Sequence, residues 1–228
     1  MTNDQNIHWH PLPDAAAVAR NAASRILAAG AEAIALRGVF RLVLAGGRTP
    51  EAAYRLLAGA DTDWRRWDIY FGDERCLPVN DPVRNSVMAA KSWLDQTGIP
   101  REQVHIIPAE LGPIEGARLY APVVSVALPF DLAILGLGED GHTASLFPGH
   151  HHPSDSLVVP VTGSPKLPAN RVSLSAKALS QTRQALVLVT GKEKQRAVTE
   201  WKSGKKLPIA GVVPLERLDV MLDAEAGP

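Results

Sequence analysis

The sequence lacks several features that define large classes of proteins. Its 228 residues include one cysteine, Cys76, so an intrachain disulfide framework is excluded. Lysine plus arginine equal aspartate plus glutamate at 24 each, and no overall basic charge draws the chain to nucleic acid or anionic lipid. No run approaches the roughly 18 apolar residues of a membrane span. We therefore expect a protein that binds neither nucleic acid nor membranes.

Familiar leader and cofactor motifs are also missing. The opening stretch MTNDQNIHWHPLPDAAA has no basic segment followed by an apolar one, so we expect no secretory signal and a soluble, cytoplasmic protein. The chain has neither the GxGxxG dinucleotide fingerprint nor the GK[ST] of a P-loop, which disfavours a dinucleotide-binding dehydrogenase and predicts no cofactor. No serine stands in a G-x-S-x-G elbow, which disfavours covalent catalysis.

Hydrophobic periodicity predicts alternating helices and strands. Helices are expected at 14–36, 50–59, 84–95, 114–126 and after 191, and strands at 39–45, 67–71, 104–107, 130–136, 157–161, 171–175 and 185–190. Thr49 is expected to cap the second helix, and Pro122 to kink or end the fourth. Strands that are apolar on both faces favour a parallel sheet covered on both sides. We predict an α/β fold, a doubly wound, mainly parallel sheet with helices on both faces, Rossmann-like, in a single domain over residues 1–228.

Ligands of such sheets bind where strands end and loops meet helix N-termini. After the first predicted strand comes GGRTP, in which Gly46, Gly47 and Thr49 can form a phosphate cradle, or only an ordinary capped turn. After the second comes FGDER, in which Arg75 can hold a phosphate beside Asp73, or only form a local ion pair.

Two more strand ends carry unusual side chains. GLGEDGH follows the most apolar strand, and Asp140 can orient one nitrogen of His142 while the other faces a substrate. The alternative is a helix start capped by Thr143, with His142 merely exposed. In TGKEK, two lysines lie at the start of a predicted helix, where the helix dipole favours anions. A bound phosphate would explain these lysines, and so would a solvated helix face. Together the four ends predict a pocket for a phosphorylated small molecule and general acid–base chemistry.

The segments GGRTP, FGDER, DPVRNS, FDLAILGLGEDGHTASLFPG, RVSLS and TGKEK occur in an order that resembles the 6-phosphogluconolactonases. The resemblance covers almost the whole chain and implies hydrolysis of 6-phospho-D-glucono-1,5-lactone to 6-phosphogluconate in the oxidative pentose phosphate pathway. It implies that His142 is the general base and that Asp73 contacts the substrate. It assigns the phosphate to Arg75, Lys194, Gly46, Gly47 and Thr49, with Arg171 as a weaker candidate. Arg84 stands where many relatives have serine, and its role stays open.

Rival functions are disfavoured by particular segments. The related glucosamine-6-phosphate deaminases carry Phe-Asn-Glu-Pro after the histidine, where residues 145–148 here read Ser-Leu-Phe-Pro. A sugar-phosphate sensor of the transcriptional repressor type would need a DNA-binding segment, and none is evident. His150, His151 and His152 have no partner at metal-binding spacing, so we expect an exposed loop and no metal. The expected partner is a phosphorylated sugar lactone, and the expected state is a monomer or weak homo-oligomer.

Overall fold

The structure, a computed structural model, describes residues 7–227. In this part of the chain the strands are β1 Ile7–Leu12, β2 Phe40–Leu44, β3 Trp67–Phe71, β4 Asp73–Arg75, β5 Val104–His105, β6 Phe130–Gly136, β7 Val158–Val161, β8 Arg171–Leu174, β9 Thr182–Val189 and β10 Arg217–Asp223. The α-helices are α1 Ala15–Arg37, α2 Arg48–Leu57, α3 Asn85–Ser92, α4 Pro113–Ala127, α5 Ala176–Ser180 and α6 Gln195–Lys202.

Seven parallel strands form the central sheet, in the order β1-β10-β9-β6-β2-β3-β5. From β2 the chain moves outward to β3 and β5, and then returns to place β6 on the other side of β2. The boundary between β2 and β6 is therefore the point where the direction of winding reverses, and sheets of this kind bind ligands there. The predicted fold class, a doubly wound and mainly parallel α/β sheet, is confirmed.

A second sheet has three antiparallel strands, in the order β4-β8-β7. The strands predicted at 157–161 and 171–175 exist, but they belong to this small sheet and not to the parallel one. Helix α4 packs against it, with Gly116 so close to Val172 that a Cβ there would lie 2.9 Å from that side chain. Strands β1, β4 and β10 were not predicted from the sequence.

Two helix ends differ from the sequence-based expectation. Helix α2 begins at Arg48 with Gly47 as its N-cap, so the prediction that Thr49 caps it was wrong. Gly47 has a φ of 109°, a conformation that favours glycine, and this lets the helix begin two residues before Pro50. Helix α4 is not ended by Pro122 and continues to Ala127, held by its buried residues Tyr120 and Val124.

A buried ion pair fixes the start of α3. Glu74 is fully buried, and its carboxylate accepts hydrogen bonds from the backbone N–H groups of Asn85 at 2.7 Å and Ser86 at 2.8 Å. Arg84 lies beside it, with Nε 3.5 Å from Glu74 and Nη1 2.8 Å from Glu110. The role of Arg84, which the resemblance left open, is thus to hold this buried network together.

No helix within residues 7–227 combines the length and the apolar character needed to cross a membrane.

Replacing Arg84 with Met should destabilise the protein by about 3–5 kcal/mol, because it removes one partner of a buried charge and leaves Glu74 without its counter-ion. Urea unfolding of the two proteins measures the loss. Arg55→Met is the matched control, because Arg55 pairs with Glu51 on the surface and its side chain is 64% exposed. Equal unfolding midpoints for the Arg84 and Arg55 variants would contradict the role given to Arg84.

Candidate active site

A cleft of about 920 Å³ opens at the carboxyl ends of β2, β6 and β9, beside the reversal point of the sheet. All four strand ends singled out in the sequence contribute to its walls. The predicted site residues that line it are Gly46, Gly47, Thr49, Asp73, Arg75, His142, Arg171 and Lys194. Asp140 stands directly behind His142. The structure therefore brings the sequence-predicted residues together in one place.

The loop after β6 closes on itself because of its glycines. The backbone N–H of Gly138 donates to the carbonyl of His142 at 2.8 Å, and that of Gly141 donates to the carbonyl of Gly138 at 2.9 Å. A Cβ on Gly138 would lie 2.0 Å from Nδ1 of His142 and 2.6 Å from Oδ1 of Asp140. Any side chain at Gly138 would therefore displace the histidine. No helix begins here, so the alternative in which Thr143 caps one is excluded.

His142 forms a short hydrogen bond with Asp140. Its Nδ1 lies 2.5 Å from Oδ1 of Asp140, which also accepts from the His142 backbone N–H at 3.2 Å. The imidazole side chain is 17% exposed and packs on the ring of Phe147, with the ring centroids 4.6 Å apart. In the described part of the chain no residue is bonded to Nε2, so this nitrogen is free to face a ligand.

The environment sets the protonation of this pair. Burial lowers the pKa of His142 below its usual value, although Asp140 acts in the opposite direction. Partial burial works against ionisation of Asp140, yet the hydrogen bond and the charge of His142 lower the pKa of Asp140 overall. At pH 7 we therefore expect the carboxylate to be ionised and the imidazole to be neutral. Because a carboxylate only accepts hydrogen bonds, the proton belongs on Nδ1 and the lone pair on Nε2.

Asp73 is buried, and both of its oxygens are engaged. Oδ2 accepts a hydrogen bond from Oγ of Ser145 at 2.6 Å, and Oδ1 accepts one from Nδ2 of Asn85 at 3.1 Å. The side chain of Asn85 in turn lies against Gly46, where a Cβ would come within 1.9 Å of its Oδ1. Asp73 thus ties the loop of His142 to the glycine turn. The hydrogen-bond partner of His142 is Asp140, not Asp73.

The predicted phosphate residues all line the cleft. Oγ1 of Thr49 lies 2.6 Å from Oγ1 of Thr190, which joins the ends of β2 and β9. Lys194 is partly buried, and its Nζ lies 3.7 Å from a carboxylate oxygen of Glu139. Arg75 donates from Nη1 to the carbonyl of Val83, and within residues 7–227 its buried Nε has no partner.

Arg171 faces the same cleft, but its guanidinium is occupied by the protein backbone. It donates to the carbonyls of Lys166 at 3.0 Å, Leu167 at 3.1 Å and Pro168 at 3.0 Å. Its remaining nitrogen, Nη1, lies 4.0 Å from Asp73. This arrangement indicates that Arg171 holds the loop in place. It is less compatible with the contact to phosphate that the resemblance suggested.

Sequence reasoning missed two residues of this site, Lys166 and Ser145. Lys166 lines the cleft from the loop at 162–170. Ser145 binds Asp73, as does Asn85 of the DPVRNS segment. The only local signal was the polar character of these residues near motifs already singled out, because their contacts depend on how distant segments pack.

The three consecutive histidines lie outside this cleft. His150, His151 and His152 line a second cavity, of about 660 Å³, together with Phe147 and Pro208 among others. Within residues 7–227, histidine, cysteine and acidic side chains nowhere form a group of three that could hold a metal ion.

Comparison with known proteins agrees with this architecture. A family model described as "Glucosamine-6-phosphate isomerases/6-phosphogluconolactonase" matches residues 13–221. A 6-phosphogluconolactonase of Streptomyces coelicolor is 36% identical over 232 aligned positions, which cover 92% of this chain and 89% of the relative. One from Synechocystis is 34% identical, covering 86% of this chain and 87% of the relative. The crystal structure of the Thermotoga maritima 6-phosphogluconolactonase superposes with a TM-score of 0.89 at 29% identity, covering 95% of this chain and 99% of that one. The chain belongs to the glucosamine-6-phosphate isomerase/6-phosphogluconolactonase family.

Proposed function

We propose that this protein hydrolyses 6-phospho-D-glucono-1,5-lactone to 6-phosphogluconate, the lactonase step of the oxidative pentose phosphate pathway. The observation that carries the proposal is His142, whose Nδ1 is held by Asp140 and which lines a cleft that also presents Lys194 and Arg75. The names of the relatives support the substrate. We also propose that residues 1–228 act as one lactonase domain in the cytoplasm, where a cysteine such as Cys76 stays reduced.

In the proposed mechanism, Nε2 of His142 removes a proton from a water molecule as its oxygen forms a bond to the lactone carbonyl carbon. The carbonyl electron pair moves onto its oxygen. When the carbonyl reforms, the bond from that carbon to the ring oxygen breaks, and the imidazolium returns the proton to the ring oxygen. Asp140 stabilises the imidazolium between these two transfers. General acid–base catalysis of this kind contributes ~10²–10⁴-fold, and the lactone is already an activated ester.

The phosphate of the substrate would serve to place the lactone carbonyl near His142. Lys194 and Arg75 are the proposed cationic contacts, with the backbone of Gly46 and Gly47 and the hydroxyl of Thr49 completing the cradle. A fixed phosphate converts the attack of water into a reaction of a correctly oriented substrate. Because Lys194 is partly buried, a charge-assisted hydrogen bond from its ammonium to the phosphate would stabilise the bound substrate more than the same bond at an open surface.

A deaminase or isomerase reaction is less compatible with this cleft. Residues 145–148, which follow His142 in the chain, include no carboxylate. Ser145 is bonded to Asp73, and Phe147 packs on the imidazole ring. An acid that assists the opening of a sugar ring is therefore missing from this segment.

Replacing His142 with Ala should lower kcat by about 10²–10⁴-fold with little change in KM, because the variant loses the base and keeps the phosphate contacts. Glucose 6-phosphate is oxidised enzymatically to the lactone, and the formation of 6-phosphogluconate is followed above the spontaneous rate. His151→Ala, which changes an exposed histidine outside the cleft, is the matched control. A His142→Ala variant with near-normal turnover would remove His142 from the mechanism, and wild-type protein without acceleration would overturn the proposed function.

The pH dependence of kcat/KM should reflect the protonation of His142. Because the pKa of His142 is lowered from 6.5, kcat/KM should be on its plateau at pH 7 and should fall as the pH drops through a midpoint below 6.5. In Asp140→Asn the charge that favours the imidazolium is gone, so this midpoint should move to still lower pH. The plateau value of kcat should fall by about 10- to 10⁴-fold. A midpoint that moves upward in Asp140→Asn would contradict the proposed pairing.

A further inference from the structure

The loop at 162–170 is folded back toward the cleft by internal hydrogen bonds. Arg171, 6% exposed, binds the three consecutive carbonyls of residues 166–168. Ser164 adds two more bonds, because its Oγ donates to the carbonyl of Lys166 at 2.9 Å and accepts from the Lys166 N–H at 3.2 Å. The backbone at Lys166 is therefore held on both sides. Such support is what a side chain needs to be placed reproducibly in a site.

The side chain of Lys166 reaches the loop that carries His142. Its Nζ lies 2.8 Å from Oε1 of Glu139, the residue before Asp140, and both Lys166 and His142 line the cleft. An ammonium has three N–H donors, and within residues 7–227 this one contacts Glu139 alone. Burial is the main cause that lowers the pKa of His142, and the positive charge of Lys166 acts in the same direction. Lys166 therefore lies next to the loop that carries His142.

The proposed reaction needs a donor near His142. Attack on the lactone carbonyl places negative charge on its oxygen, and donors already aimed at that position are often the largest single contribution to catalysis. Two other polar groups of the cleft are engaged with the protein, because Asn85 donates to Asp73 and Arg171 donates to the loop carbonyls. Lys194 contacts the second carboxylate oxygen of Glu139 at 3.7 Å, and it is assigned, with Arg75 and Thr49, to the phosphate.

We propose that Lys166 is a further catalytic residue, whose ammonium donates a hydrogen bond to the oxyanion formed at the lactone carbonyl, and that Arg171 is its positioning residue. The ammonium keeps its proton throughout. It stabilises the oxyanion while His142 holds the proton taken from water, and it releases the oxygen when the carbonyl reforms. This inference rests on the proposed lactonase function and adds a residue to it.

The test compares three lysines on the same lactone assay. In Lys166→Met, kcat should fall by about 10²–10³-fold with KM within about threefold, as when one donor to an oxyanion is removed. Lys194→Met should instead raise KM, because it removes a contact that is the same in ground and transition states. Lys192→Met, at an exposed position outside the cleft, is the control and should leave both constants unchanged. Lys166→Arg should recover part of the lost kcat because it keeps the charge.

A second readout separates catalysis from a structural effect. Loss of the Lys166 charge should move the acid midpoint of kcat/KM to higher pH, because the imidazolium of His142 is then less disfavoured. Arg171→Lys cannot bind three carbonyls at once, so it should lower kcat as well. In the double variant Lys166→Met/Arg171→Lys, the fold loss of kcat should be much smaller than the product of the two single losses.

Three results would overturn the proposal. An unchanged kcat in Lys166→Met with active wild-type protein would remove Lys166 alone and leave the lactonase assignment in place. A raised KM with normal kcat would make Lys166 a ligand of the phosphate. Wild-type protein that does not accelerate lactone hydrolysis would overturn the proposed function and this inference with it. Thermal unfolding of each variant confirms that the folded proteins are being compared.

Discussion

The site depends on the hydrogen bond between Asp140 and His142. A half-buried imidazole beside a carboxylate, with 2.5 Å between Nδ1 and Oδ1, is held in one orientation and one tautomer. This contact exists because the backbone from Gly138 to His142 folds into a turn that has no space for a side chain at Gly138. Burial favours the neutral ring, and the carboxylate stabilises the imidazolium that forms briefly when the ring takes a proton. The lone pair on Nε2 follows from the tautomer that the carboxylate selects.

Around this pair, buried charges position the loops without serving as ligands. Glu74 receives the first N–H groups of α3, and Arg84 neutralises it. Arg171 gathers the carbonyls of the loop at 162–170. From sequence alone such residues near a cleft resemble substrate contacts. In the structure their hydrogen bonds are made to the protein, whereas Lys166 and Lys194 contact the exposed carboxylate of Glu139 at the cleft.

Features encoded locally could be predicted from the sequence, and features that depend on distant segments could not. FDLAILG reads as a buried strand because its residues are apolar on both faces, and the four strand ends meet because parallel strands share one direction. Strand β10 escaped prediction because Asp219 interrupts its apolar pattern, and Arg217 at 2.6 Å and Arg25 at 3.3 Å compensate for that charge. The cap from Glu74 and the placement of Lys166 likewise come from tertiary contacts that no short motif contains.

The most direct test of this account is the protonation state of His142 at pH 7. Nitrogen-15 NMR of imidazole-labelled protein, with the signals of His142 assigned by comparison with His142→Ala, distinguishes the two tautomers and the cation. The account predicts a neutral ring at pH 7 with the proton on Nδ1 and an unprotonated Nε2. A doubly protonated ring, or a neutral ring with its proton on Nε2, would leave no lone pair on Nε2 to accept a proton from water and would contradict the central claim.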